Sequence, residues 1–219
     1  VYMRQPMAEG GAIPAAPVTN ALGAMDMGIL PDFYPGGILL TEIEKIKGLW
    51  GETAPLQAGL SALQMIKKAQ SGELKALVIH RANPVVDFPG GLKVEEALKK
   101  IDFLVVHDIL HTETSRLAHL VLPSNGPNYD EGTTTNIGGR VQYRRRGLKA
   151  DNPPDWKIIS RISNELDGES SDISYPDSFA VTAEIAAKVP GYGEIKRSTI
   201  QKVGKNRTHE ISSNRTQLG

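Results

Sequence analysis

The sequence predicts an α/β fold: a parallel, Rossmann-like sheet with helices on both faces, an irregular N-terminal segment and a helical C-terminal tail. Three observations predict it. First, Ala76–His80, Phe103–Val106 and His119–Leu122 are short apolar runs, β-branched in part and unbroken rather than alternating, as strands covered on both faces are. Second, helical periodicity precedes the first two runs, over Ala58–Gln70 and Val94–Ile101, so βα units with right-handed crossovers are expected. Third, the runs empty into polar residues: Arg81-Ala82-Asn83-Pro84, His107-Asp108 and Pro123-Ser124-Asn125-Gly126. Ligands of open α/β sheets gather beyond such carboxyl ends.

The elements then follow in order. Residues 1–37 are rich in glycine and proline with little periodicity and read as the irregular segment. Within it, Asn20–Gly28 is either a loop suited to approaching a phosphate or one that packs Met25 and Met27. Residues 38–168 read as the α/β domain, in which Ile38–Ile46 and Leu49–Pro55 are ambiguous. In Ala58–Gln70 the inward positions are Leu60, Leu63, Ile66 and Ala69, and Gly72 stops the helix. Pro84 holds Asn83 extended, so the chain leaves the first strand abruptly. Val94, Ala97, Leu98 and Ile101 face inward from the next helix. Thr112 reads as the N-cap of a short helix through Ala118. Asp130–Arg140 holds too much glycine and threonine for a helix; it is either a loop whose N–H groups and hydroxyls suit a nucleotide or a surface hairpin. Asp155 caps a helix through Leu166, with Trp156, Ile159, Ile162 and Leu166 inward. Residues 169–219 form the tail, with a helix from Phe179 to Lys188 and a polar, mobile end beyond Gly204.

Composition excludes several functions. With 25 basic and 25 acidic residues, nothing draws the chain to nucleic acid or a membrane surface. No apolar run approaches the length of a membrane span. The absence of cysteine removes disulfides, thiolate ligands and iron–sulfur ligation from this chain. The opening Val1-Tyr2-Met3-Arg4 fits a piece of a longer polypeptide. His107, His111 and His119 invite a metal reading, but no cysteine joins them and His107 precedes the helix, so hydrogen-bonded or solvated histidines are expected. No Ser–His–Asp relay is recognisable. Arg140, Arg144, Arg145 and Arg146 suit either phosphates or a solvated turn. Two Asn-x-Thr acceptor patterns, at Asn206 and Asn214, stand without any other sign of secretion.

Several motifs, taken together, carry a family resemblance. Asn20-Ala21-Leu22-Gly23-Ala24-Met25-Asp26-Met27-Gly28, Arg81-Ala82-Asn83-Pro84, the run from Thr112-Glu113-Thr114 to Val121-Leu122-Pro123, Glu131-Gly132-Thr133-Thr134-Thr135-Asn136-Ile137-Gly138-Gly139-Arg140-Val141-Gln142 and Asp155-Trp156-Lys157-Ile158-Ile159 stand in the order found in the molybdopterin oxidoreductase family. From Asn20 to Leu166 the chain resembles that family. The resemblance implies the second half of an α/β domain that grips one molybdopterin guanine dinucleotide from its strand ends. Carried over by position, the implied contacts are Arg81, Asn83, Asp108, Thr112, Glu113, Thr133, Asn136 and Arg140. No catalytic residue and no metal ligand is expected in this chain; metal ligand and iron–sulfur clusters would lie elsewhere in the parent.

Three departures qualify the pattern. Arg81 stands where the family usually has glycine, Ile137-Gly138 replaces a polar-Glu pair, and His119 replaces a frequent aspartate. These departures, with the flow Asp26–Pro31 and the segment Ala183–Tyr192, are most similar to the large iron–sulfur subunit of NADH–quinone oxidoreductase, complex I. That branch implies a scaffold without cofactor or catalysis of its own, partnered by other subunits of a redox complex, in a peripheral arm on the cytoplasmic side. The alternative is the dinucleotide-binding part of a molybdenum or tungsten formate dehydrogenase-like catalytic subunit. A reading from another class is a non-redox assembly module.

Overall fold

A computed structural model describes residues 19–167, 173–200 and 205–206. The expectations for the first 18 residues, for the domain boundary at 168–172, and for the tail at 201–204 and 207–219 lie outside the described residues.

Helix α1 (Ala21–Asp26) leads to a small antiparallel pair, β1 (Phe33–Tyr34) and β2 (Ile38–Leu39). Gly36 and Gly37 make the turn between them at φ 83° and 73°, where a side chain would be strained. Helix α2 (Ile43–Trp50) resolves the ambiguous stretch. Helix α3 (Ala62–Ser71) begins later than periodicity predicts because Ser61 and Gln64 form a capping box, and it ends on Gly72 in the left-handed conformation. Its Ile66 and Ala69 are buried, whereas Leu63, expected inward, is exposed.

Strand β3 (Ala76–His80) is followed by the single turn α4 (Pro84–Asp87), with Pro84 at its first position. Helix α5 (Val94–Leu98) then feeds β4 (Phe103–Asp108). The predicted helix through Ala118 is only a 3-10 turn, Ser115–Leu117. Thr112 and Ser115 exchange side-chain to backbone bonds of 3.1 and 2.8 Å, which closes the chain on itself just before β5 (Leu120–Pro123). These strands form the expected three-stranded parallel sheet, order β3-β4-β5, with His80 opposite His107. On one face Ile66, Ala69, Val94, Ala97, Leu98 and Ile101 pack against Ile79, Leu104 and Val106.

The Gly-rich stretch takes the hairpin alternative. Strands β6 (Gly132–Thr135) and β7 (Arg140–Arg144) pair antiparallel, turning at Asn136 and Gly139. Helix α6 (Asp155–Asp167) follows. Its Ile159 and Leu166, expected inward, are 50% and 80% exposed; nothing among the described residues covers that part of its apolar stripe. Helix α7 (Ser178–Lys188) starts on Asp177, whose carboxylate accepts from the Phe179 and Ala180 N–H groups. Short α8 (Arg197–Ile200) and β8 (Lys205–Asn206) follow, and β8 adds to β7. Val141, Val189, Tyr192, Ile195 and Ile200 make a second core.

The Asn20–Gly28 segment serves packing. Asn20 Oδ1 accepts the Thr135 N–H at 2.8 Å, docking α1 on β6. A Cβ at Gly23 would clash with Asn20 Oδ1 and stand 3.1 Å from the Thr135 Cβ, so a side chain there would displace the carboxamide that docks α1 on β6. The Tyr192 hydroxyl donates to Asp26 Oδ2 at 3.0 Å and lies 2.9 Å from Thr135 Oγ1.

The Tyr175 hydroxyl donates to Glu184, which also holds Lys188 at 2.7 Å. This hydrogen bond, aided by burial, pushes the Tyr175 pKa up to about 12. A phenol whose pKa is raised on folding stabilises below its unfolded value, near 10, and the contribution is lost as pH climbs through the folded one. Unfolding midpoints in urea are therefore expected to fall between about pH 10 and pH 12, less steeply in Tyr175→Phe. Equal slopes in the two proteins would show that the bond does not persist in solution.

Candidate functional site at the ends of the parallel strands

The ends of β3 and β4 bring two histidines side by side. Because His80 and His107 are in register, their rings share one face, with Nδ1 atoms 2.9 Å apart and centroids 4.7 Å apart. His107 is 1% exposed, and its Nε2 has no hydrogen-bond partner among the described residues. Asp155, the first residue of α6, faces both rings: Oδ1 is 3.4 Å from His107 Nε2 and Oδ2 is 3.7 Å from His80 Nε2. Burial lowers the His80 pKa; attraction to Asp155 opposes the shift without cancelling it.

Arg81 closes the crevice over this pair. It sits at φ 47°, in the left-handed region, at the position where the family resemblance leads one to expect glycine. Its backbone N–H extends the ladder by donating to the His107 carbonyl at 2.9 Å. The guanidinium then runs across the strand ends. Nε donates to Ser124 Oγ at 2.8 Å, while Nη2 reaches the Asn125 carbonyl, Asp130 Oδ2 at 2.8 Å and Asp155 Oδ2 at 2.7 Å. Ser124 in turn donates to Asp155 Oδ1 at 2.7 Å. Asn125 donates to Asp130 and to the carbonyls of Asn152 and Pro153 at 3.3, 3.1 and 3.0 Å, pinning the loop before α6.

The other predicted residues divide into two groups. Asn83 Nδ2 donates to Glu113 at 2.8 Å, and its Oδ1 accepts from the Thr114 hydroxyl at 2.7 Å. The Asn83 bond holds the Glu113 pKa below the usual carboxylate range. The Asn83 bonds tie the loop after β4 to the loop after β3, and the Thr112–Ser115 exchange closes the former on itself. Asp108 accepts from the neighbouring Ile109 N–H at 2.7 Å. Thr133, Asn136 and Arg140 lie away from the parallel sheet, on the β6–β7 hairpin, where Asn136 Oδ1 accepts the Arg140 N–H at 2.9 Å. The eight residues thus do not converge on one pocket. His119 accepts the Leu104 N–H at 2.9 Å and His111 is exposed, in keeping with hydrogen-bonded or solvated histidines.

The residues that do converge with Arg81 are His80, His107, Ser124, Asn125, Asp130 and Asp155, which sequence reading left unassigned as a group. The available signal was a histidine ending one apolar run and another following the next. Beside this network lies a cavity of about 230 Å³, bordered by Asn125, Asp130, Arg146 and Trp156. A larger one, about 390 Å³, lies against α7 and α8, away from the strand ends.

Comparison with known proteins completes the description. The model of the family described as "Molybdopterin oxidoreductase" matches residues 9–165. The NADPH-Fe(3+) oxidoreductase subunit alpha of Geobacter sulfurreducens is 37% identical over 86% of this chain and 22% of its own length. The F420-dependent formate dehydrogenase 2 subunit alpha of Methanococcus maripaludis is 36% identical over 83% of the chain and 27% of its own. The assimilatory nitrate reductase catalytic subunit of Bacillus subtilis is 30% identical over 81% of the chain, again 27% of its own. The chain therefore spans about a quarter of the length of these curated relatives. Among solved structures, acetylene hydratase from Pelobacter acetylenicus superposes with TM-score 0.51 at 13% identity, over 74% of this chain and 22% of that one, a likeness of fold.

Proposed function

Because the chain belongs to the molybdopterin oxidoreductase family, we propose that it is part of the catalytic subunit of a multi-subunit molybdenum or tungsten oxidoreductase, of the formate dehydrogenase or nitrate reductase kind. The observation that carries this reading is that the formate dehydrogenase and nitrate reductase relatives are 36% and 30% identical over more than four-fifths of the chain. They support the formate dehydrogenase-like alternative over the complex I branch to which Asp26–Pro31 and Ala183–Tyr192 pointed. Partners are then the other subunits of the complex. No helix among the described residues is long and apolar enough to cross a membrane.

The strand-end crevice itself does not fit a guanine dinucleotide. Arg81 fills the space that glycine would leave, and its guanidinium is already shared between Asp130 and Asp155. Those carboxylates would meet a pyrophosphate with like charge. Asn83 and Glu113 are spent on each other. In this reading the nucleotide is gripped by parts of the parent outside this crevice, and the present chain shapes the body around it. The filled crevice is also the one observation that favours a scaffold role in a respiratory subunit.

Elemental analysis for molybdenum and tungsten, with release of GMP on acid hydrolysis, distinguishes the two in the natively purified full-length protein. Stoichiometric metal and guanine nucleotide are expected. Absence of both from a preparation with intact iron–sulfur clusters would overturn the catalytic-subunit reading in favour of the scaffold.

A further inference from the structure

The geometry points to a divalent transition-metal site formed by His80, His107 and Asp155. One donor atom from each of these residues can be chosen so that all three lie within 4.8 Å of one another. The closest carboxylate–imidazole separations, 3.4 and 3.7 Å, are near the spacing of about 3.3 Å between neighbouring ligands of a tetrahedral ion bound at 2.0–2.1 Å. Two imidazoles and a carboxylate, without sulfur, suit a borderline divalent ion of the Zn²⁺ type.

The hydrogen bonding of the pair, while both rings are neutral, independently leaves a place for a cation. Two neutral imidazoles joined through Nδ1 hold one N–H between those atoms. One ring therefore carries its remaining hydrogen on Nε2, and the other presents a bare Nε2 lone pair. Since both Nε2 atoms face Asp155, one lone pair always confronts a carboxylate oxygen. His107 Nε2 is moreover buried without a hydrogen-bond partner among the described residues. An ion at this point turns that repulsion into ligation. Uptake by both rings releases the Nδ1 contact, and His80, with 42% of its side chain exposed, is the member free to turn.

The surroundings suit such an ion. One guanidinium, Arg81, stands against two carboxylates, Asp130 and Asp155, leaving one net negative charge to meet the divalent ion. Ser124 and Arg81 fix the Asp155 carboxylate as outer-shell donors commonly do. The exposed side of His80 leaves room for water as a further ligand.

Zinc binding to the full-length protein tests the site. After chelator treatment and exchange into buffer, the wild type, H80N, D155N and H111N are titrated calorimetrically with ZnCl2. H111N alters an exposed histidine outside the cluster. Wild type and H111N should bind one equivalent of zinc that H80N and D155N either do not bind or bind at least a hundredfold more weakly. The same zinc should raise the melting temperature of the wild type but not of H80N, whose half-exposed site tolerates the change. Equal stoichiometry and affinity in wild type and H80N, or no zinc bound at micromolar concentration by a folded wild type, would overturn the assignment.

Discussion

Arg81→Ala is expected to lower the free energy of unfolding by about 2–4 kcal/mol, below the range for fully buried pairs because the side chain keeps some solvent contact. The loss arises less from the ion pairs themselves than from what remains. Asp130 and Asp155, 9% and 15% exposed in their side chains, would face each other's charge without the guanidinium that now spans them. Arg81→Gly separates this effect from the backbone. At φ 47° an L-residue is strained, and glycine is not. The glycine variant should therefore be the more stable of the two by about 1 kcal/mol. Urea denaturation of both proteins at neutral pH gives the comparison. Indistinguishable Ala and Gly variants would remove the argument from strain, and two variants as stable as wild type would remove the argument from charge.

Leu104→Ala should cost about 2–5 kcal/mol, as expected for a leucine removed from a packed interior. Leu104 is fully buried at the start of β4, in the cluster made by α3 and α5. Its neighbour provides the contrast. Phe103 points to the other face of the sheet and is 50% exposed, so Phe103→Ala should cost under about 1.5 kcal/mol although it deletes a larger side chain. Urea midpoints of the two variants decide it: equal losses would mean that the exposed face of the sheet is covered in solution.

The parallel sheet was legible because its strands announce themselves by unbroken apolar runs, and α3 and α5 because their inward residues recur at helical spacing. Boundaries were less so. Ser61, not the first apolar residue, starts α3, and the Thr112–Ser115 exchange replaces a helix by a turn. On α6 the stripe was read correctly as apolar, yet Ile159 and Leu166 remain exposed, since periodicity reports a face and not what covers it. The candidate site was legible only at Arg81, through its place in a motif. His80 and His107 meet through strand register, and Asp155 joins them from a distant helix start, a proximity that no local pattern encodes. The motifs likewise identified the family but not its branch, for which the formate dehydrogenase and nitrate reductase relatives favour the alternative reading.

The bracket from Asn20 and Asp26 to Thr135 and Tyr192 also bears on how quickly the chain can fold. Its hydrogen bonds join residues 115 and 166 positions apart, whereas the His80–His107 contact spans 27. Loop-closure entropy rises by roughly 0.6 kcal/mol for each doubling of the enclosed chain. Closing the bracket is thus about 1.5 kcal/mol dearer in entropy than joining β3 to β4, before any contact offsets it. The His80–His107 contact is the more local event, and the clasp that joins α1 to the second core is a non-local one that slows the whole. During synthesis the parallel sheet can form while the clasp is still open, with Asn20 and Asp26 waiting for Tyr192 to emerge.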